Sequence, residues 1–189
     1  MPQLNLFESA HPEGLRYRAD FLTGAEERDL AGRLPALPFK AFEFHGFEGK
    51  RRTVSFGWRY VFDGSGLTQA EPMPDWLLPL KERAAVVAGI DAAALEHVLI
   101  TEYAPGAGIG WHRDRSVFGE VVGISLLAPA RLRFRRKAGE KWERAVLIAE
   151  PRSAYVLTGP ARAEWEHSIA PIAALRYSLT FRTLKKAQL

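Results

Sequence analysis

Two histidines, one aspartate and two arginines carry most of the chemistry legible in this chain: His112-x-Asp114, His167, and the segment Arg176-Tyr-Ser-Leu-Thr-Phe-Arg182. In an extended chain successive side chains alternate faces, so His112 and Asp114 point one way and Arg113 the other. His167 lies on a distant segment and completes a triangle once a sheet closes. Two imidazoles and a carboxylate on one face of a metal suit Fe(II) and leave the remaining coordination positions open. Taken singly, His-x-Asp is a weak signal, and either histidine alone reads as an ordinary surface or core residue. His11, His45 and His97 lack comparable neighbours and read as structural.

The segment at 176–182 strengthens the set. As a strand it places Arg176, Ser178, Thr180 and Arg182 on one face and Tyr177, Leu179 and Phe181 on the other. Buried arginines need anionic partners. A planar guanidinium grips a carboxylate in bidentate fashion, so a metal-chelating dicarboxylate would present one carboxylate to Arg176. Arg182 would pair with its other end or with Asp114. A competing reading is an amphipathic edge strand with solvated arginines.

The elements that must position these residues divide in character near residue 96. Before it, residues 1–20 read as an extended arm. Thr23 with Glu26 forms a capping box that opens a helix to about Leu34, closed by Pro35 and Pro38. Phe39 to Phe44 reads as a short strand, and Arg52 to Phe62 as a second one. Asp63-Gly-Ser-Gly66 breaks the chain, and Pro74 opens a helix to about Ala88 that Gly89 ends. After it come seven strand candidates separated by turns: His97–Tyr103, Val121–Leu127, Leu132–Arg136, Ala145–Ala149, Ala154–Leu157, Trp165–Ile169 and Arg176–Thr183. Strands at such spacing predict a sandwich or barrel, with a jelly roll as first choice, in a mainly β, α+β chain braced by N-terminal helices.

Composition sets bounds. The chain has 189 residues, 47% hydrophobic and 25% charged, which fits one globular domain with a full core. No apolar run reaches membrane-span length, and the N-terminus lacks a secretory pattern. With no cysteine there is no disulfide framework, zinc finger or thiol nucleophile. A monomer in a reducing cytoplasm is the expectation. The net charge is +4, a mild excess, but Lys50-Arg51-Arg52 and the run Arg131, Arg133, Arg135, Arg136, Lys137 concentrate it. Each cluster reads equally as a solvated loop or as a phosphate contact.

Together His112-Arg-Asp114, His167 and Arg176 to Arg182 resemble the AlkB-type Fe(II)/2-oxoglutarate dioxygenases, whose C-terminal strand reads Arg-x-Asn-Leu-Thr-Phe-Arg. Tyr103-Ala-Pro-Gly106 resembles the family's tyrosine-containing segment. The likeness runs from about residue 50 to 185. It implies a double-stranded β-helix core over 96–185, preceded by a 1–95 extension whose residues 39–62 form lid hairpins over a flipped base. It further implies Fe(II) held by His112, Asp114 and His167, and 2-oxoglutarate held by Arg176 with help from Tyr103, Arg182 and Thr101. Dioxygen is then the oxidant, and the substrate an alkylated base, methyl or etheno, in single-stranded DNA or RNA. Two departures stand out: Thr101 where the family often has asparagine, and Ser116 where many repair members carry a second acidic residue. Without that carboxylate a cationic methylated base is poorly held, so a neutral adduct such as an etheno base is expected instead.

Phe56, Trp58 and Tyr60 alternate along one expected strand and would form a stacking platform beside Arg51 and Arg52, or else pack the N-terminal helix. Trp165 would line the pocket or fill the core, and Trp111 should face away from the metal. Three other functions stay open on the residues alone. The same site could oxidise a protein or a small molecule. A β-barrel with a vestigial site could be a non-catalytic nucleic-acid-binding module. A cupin-type isomerase would leave the paired arginines unexplained.

Overall fold

The computed structural model describes residues 11–44, 47–61 and 63–185, with only the backbone described for 42–44 and 47–49. The first ten residues of the expected arm, His45 and Phe62 fall outside the described residues. In chain order the elements are β1 (Leu15–Arg18), α1 (Gly24–Arg33), β2 (Lys40–Phe44), β3 (Phe47–Phe56), β4 (Trp58–Val61), β5 (Gly66–Gln69), α2 (Leu78–Ala88) and β6 (Leu95–Tyr103). There follow β7 (Ile109–His112), β8 (Phe118–Leu126), β9 (Ala130–Ala138), β10 (Lys141–Ala149), β11 (Ala154–Leu157), α3 (Gly159–Ala163), β12 (Glu166–Ile169) and β13 (Arg176–Leu184).

Two sheets face each other in a jelly roll. The larger has the order β1-β11-β8-β13-β6-β3-β2, the smaller β10-β9-β12-β7, and β4 pairs with β5 in a separate hairpin. All seven strands expected after residue 96 are present, as are both helices. Thr23 caps α1 through the expected box, accepting from the Glu26 amide while the Glu26 carboxylate accepts from the Thr23 amide. The structure adds β1, which pairs with β11, and the short β7 and α3.

β13 is central in the larger sheet, between β6 and β8, and every residue from Arg176 to Thr183 is buried. The edge-strand alternative is therefore excluded. One face of the sheet packs on the helices: Val98, Ile100, Val122, Leu179 and Phe181 meet Leu30, Leu34, Leu77, Leu80 and Ala84. Each such side chain contributes about 1.5–3 kcal/mol when fully buried. On the other face Tyr103, Val121, Tyr155 and Leu157 meet Leu132, Phe134, Leu147 and Ile169 of the smaller sheet.

One expected strand is in fact two. Gly57 interrupts the run from 52 to 62 with φ +77°, and a Cβ there would stand 2.0 Å from the Glu96 carbonyl oxygen. Only glycine tolerates that conformation and that approach. The chain therefore leaves the larger sheet after Phe56 and starts the β4–β5 hairpin, so Phe56, Trp58 and Tyr60 do not form a continuous platform.

Candidate active site

Between the sheets and the β4–β5 hairpin lies a cavity of about 1410 Å³. His112 ends β7 and His167 lies directly opposite it on β12, their ring centroids 4.3 Å apart. Asp114 sits just beyond the end of β7, not on the strand as alternation assumed, yet its Oδ2 lies 3.8 Å from His167 Nε2. Among the described residues no three such side chains close around one point.

Their chemistry fits a divalent metal. Burial pushes His167 down to about 4, the Asp114 charge opposing it only in part, so the imidazole is neutral with a lone pair to donate. Burial alone would raise the Asp114 carboxyl, but the Arg182 guanidinium beside it holds it well below the usual carboxylate range. Arg182 Nη2 and Nε both donate to Asp114 Oδ1, at 2.8 and 3.1 Å, which leaves Oδ2 toward the histidines. His112 Nδ1 lies 2.9 Å from the Gly110 carbonyl oxygen, a contact that selects the Nδ1–H tautomer and leaves Nε2 as the donor to a metal. Of the two pairings open to Arg182, the structure holds the one with Asp114.

The loop that carries Asp114 is clamped from below. Arg162, on α3, donates to the carbonyls of Arg115, Phe118 and Gly119 at 2.6–2.8 Å. Nothing in the sequence marked Arg162, because its partners are backbone atoms more than forty residues away.

Arg176 is fully buried, its Nε donating to Ser125 Oγ at 3.0 Å and its guanidinium 4.8 Å over the Tyr103 ring. Nη1 and Nη2 have no hydrogen-bond partner among the described residues. A buried cation with two unpartnered nitrogens is costly, and a carboxylate is the group that would satisfy both. Arg176, Tyr103 and Arg51 stand in one row across β13, β6 and β3, and Ser178, Thr101 and Thr53 in the next. Tyr103, Thr101 and Arg51 line the cavity. Tyr155 joins them from β11; its ring crosses the sheet over Gly123, where a Cβ would lie 2.1 Å from the ring. Burial pushes the Tyr155 phenol up to about 12, so it stays a neutral donor.

Other expected residues stand elsewhere. Arg52 is on the opposite face of β3 from Arg51, in a bidentate pair with Glu102 at 2.8 and 3.0 Å, and cannot serve the cavity. Phe56 is buried among the helices. Trp165 fills the core beneath Arg136, and neither it nor Trp58 lines the cavity. Tyr60 does line it, with Arg115 stacked 5.0 Å from its ring. Trp111 also lines the cavity while its ring stacks with Arg133 and Arg135, whose strand positions face outward from the smaller sheet. His97, which the sequence left as structural, is buried on the cavity wall, stacked 4.7 Å from Phe118.

Residues 49–182 match the 2OG-Fe(II) oxygenase superfamily, and the chain belongs to it. Its cofactors are accordingly Fe(II), 2-oxoglutarate and dioxygen. Within that superfamily it is of the AlkB type. It is 26% identical over 180 residues to the Arabidopsis thaliana "Alkylated DNA repair protein ALKBH8 homolog", covering 82% of this chain and 50% of that one. It is 30% identical over 111 residues to the Danio rerio "Probable RNA/DNA demethylase ALKBH6", covering 59% and 45%. The chain thus spans about half the length of these curated relatives. The solved structure of OsALKBH1 superposes with a TM-score of 0.65 at 18% identity, covering 92% of this chain and 97% of that one, which is a likeness of fold.

Proposed function

We propose that this chain oxidatively dealkylates a nucleobase in single-stranded DNA or RNA, preferring a neutral adduct to a cationic one. The observation that carries this reading is the charge around the cavity. Lys40, Arg51, Arg59, Arg113 and Arg115 line it, while Glu71 is the one acidic lining residue besides Asp114 among the described residues. Such a rim attracts phosphates and repels a positively charged base. Ser116, where a carboxylate would favour a cation, points the same way. The cavity has room for an extruded base, and the Tyr60 ring offers a surface for stacking.

In this reading His112, Asp114 and His167 hold the iron, and Arg176 takes the distal carboxylate of 2-oxoglutarate beside Tyr103 and Thr101. Bound iron and co-substrate would supply the oxidation: one oxygen atom of dioxygen enters succinate as 2-oxoglutarate loses carbon dioxide, and the other enters a C–H bond of an N-alkyl adduct or adds across the double bond of an etheno bridge. Arg182 keeps Asp114 ionised and oriented, and the paired sheets exclude water from the reacting centre. A hydroxylated N-alkyl group then collapses to aldehyde and free base, and an oxidised etheno bridge, after water adds to it, leaves as a two-carbon dialdehyde.

The test is anaerobic reconstitution with Fe(II) and 2-oxoglutarate, then air, with single-stranded oligonucleotides bearing methyl or etheno adducts. Mass spectrometry reads adduct loss and succinate, with His112→Ala as control. Adduct loss that requires His112, faster on ethenoadenine, is expected. Repair of 1-methyladenine several-fold faster than of ethenoadenine overturns the preference for neutral adducts. Succinate without adduct loss on any oligonucleotide overturns the nucleobase substrate in favour of a protein or metabolite.

A further inference from the structure

The outer face of the smaller sheet has a composition that folding does not require. Strand alternation sends Ala130, Leu132 and Phe134 inward and Arg131, Arg133, Arg135 and Lys137 outward. The neighbouring β10 sends Ala145, Leu147 and Ala149 inward and Trp142, Arg144, Val146 and Ile148 outward. In register, Lys137 stands beside Trp142, Arg135 beside Arg144 and Arg131 beside Ile148. One face thus carries a basic row with an aromatic group set among it.

The aromatic part is built. Arg135 lies between two indoles, 4.4 Å from the Trp111 ring and 4.5 Å from that of Trp142, and its Nε donates to Glu166 at 2.6 Å. That ion pair fixes the guanidinium, and the guanidinium fixes the Trp142 ring. Trp142 is nonetheless 43% exposed, so the indole is held in place and still open to solvent. Arg131, Lys137 and Arg144 are exposed and have no carboxylate partner among the described residues. Arg136, by contrast, is bound by Glu143 and Glu164. The unpaired cations are those facing outward.

We infer that this face binds single-stranded nucleic acid, Trp142 stacking on a base and Arg131, Lys137 and Arg144 meeting phosphates. Alternate residues of a strand lie about 6.8 Å apart, which suits the phosphates of an extended strand. A groove of cations with a presented ring is the general solution for sequence-tolerant single-strand binding. The inference extends the proposed substrate class to a second contact surface, and it stands or falls separately from the reaction chemistry.

The experiment measures binding of a fluorescein-labelled, unmodified oligothymidylate of about 20 nucleotides, a length above the site sizes of single-strand-binding folds. It compares the wild-type chain, the triple variant R131Q/K137Q/R144Q and the variant W142L across a salt series. Three lost phosphate contacts should flatten the slope of log K against log salt by about 2 and weaken binding roughly tenfold or more. W142L should weaken it about tenfold, and indole emission should be quenched by the oligonucleotide in the wild type but less in W142L. Circular dichroism confirms that both variants fold. Binding of the triple variant within about twofold of wild type at an unchanged slope overturns the inference. So does equal competition by inorganic polyphosphate with no effect of W142L, which would mark a general polyanion surface. If no adduct is repaired but binding still depends on this face, the reaction proposed above fails and the surface remains. If adducts are repaired and the triple variant repairs oligonucleotides like the wild type, the surface fails and the reaction remains.

Discussion

Arg176 is the residue in which function and stability pull apart. Among the described residues only Nε of its buried guanidinium has a hydrogen-bond partner, so the chain by itself bears the cost of an unpaired charge. Arg176→Met should therefore leave the unliganded protein at least as stable as the wild type. The same variant should raise the dissociation constant for 2-oxoglutarate roughly 100-fold, the worth of a bidentate charge-assisted pair. Thermal unfolding and calorimetric titration with Mn(II) present check the two signs. On the helix side of the same strand, Tyr177 donates to Glu102 at 2.8 Å. Hydrogen bonds from Arg52, with that of Tyr177, outweigh the raising effect of burial and hold the Glu102 carboxyl below its ordinary value. A depressed carboxyl stabilises the fold above its unfolded value of about 4.3, and the contribution is lost as pH falls through the folded value. Tyr177→Phe should cost about 1.5 kcal/mol at neutral pH. That cost should shrink in denaturation curves taken progressively below about pH 4.3.

At the scale of elements, the fit of β8 to β11 rests on Gly123 and Tyr155. A methyl group at 123 would strike the Tyr155 ring, so Gly123→Ala should destabilise by about 1–3 kcal/mol, as overpacking does. In a Tyr155→Leu background the same change should cost clearly less, and a double-mutant cycle by urea denaturation measures the coupling. The strands themselves were legible because alternation and turn residues are local signals. So were both helices, through the Thr23–Glu26 box and the Pro74 and Gly89 punctuation. What could not be read was decided by distant partners. Gly57 looked like one more residue of a strand until the Glu96 carbonyl came beside it. Arg51 and Arg52 are adjacent in sequence, and only the pairing of β3 with β6 assigns one to the cavity and the other to Glu102. His112, Asp114 and His167 stood out by residue type and the structure brings them together, whereas Asp114 reaches His167 from a loop that Arg162 clamps, a route alternation does not describe.

For the whole molecule, the cavity lies where the two sheets meet, so its occupants should tie them together. Mn(II) with 2-oxoglutarate at about 100 times their dissociation constants should add about 2.7 kcal/mol of stability. For a domain of this size that corresponds to a rise in Tm of roughly 5–10 °C. Scanning fluorimetry with each component alone and both together should show the full rise only for the pair if, as proposed, Arg176 and the side chains of His112, Asp114 and His167 engage different ends of one chelate. The central place of β13 has a further consequence, in time. This strand joins β6 to β8, and it follows both in the chain, with roughly 50 residues between the end of β8 and its own start. At about 5–20 residues per second, a ribosome takes some 3–10 seconds to cross that gap. Throughout it, two apolar strands wait with open edges facing a slot that nothing yet fills, and strand pairing at long separation is slow to begin with. The nascent chain is thus most vulnerable to pairing with a neighbour until β13 emerges, and the strand that ends the risk is the one that carries Arg176 and Arg182.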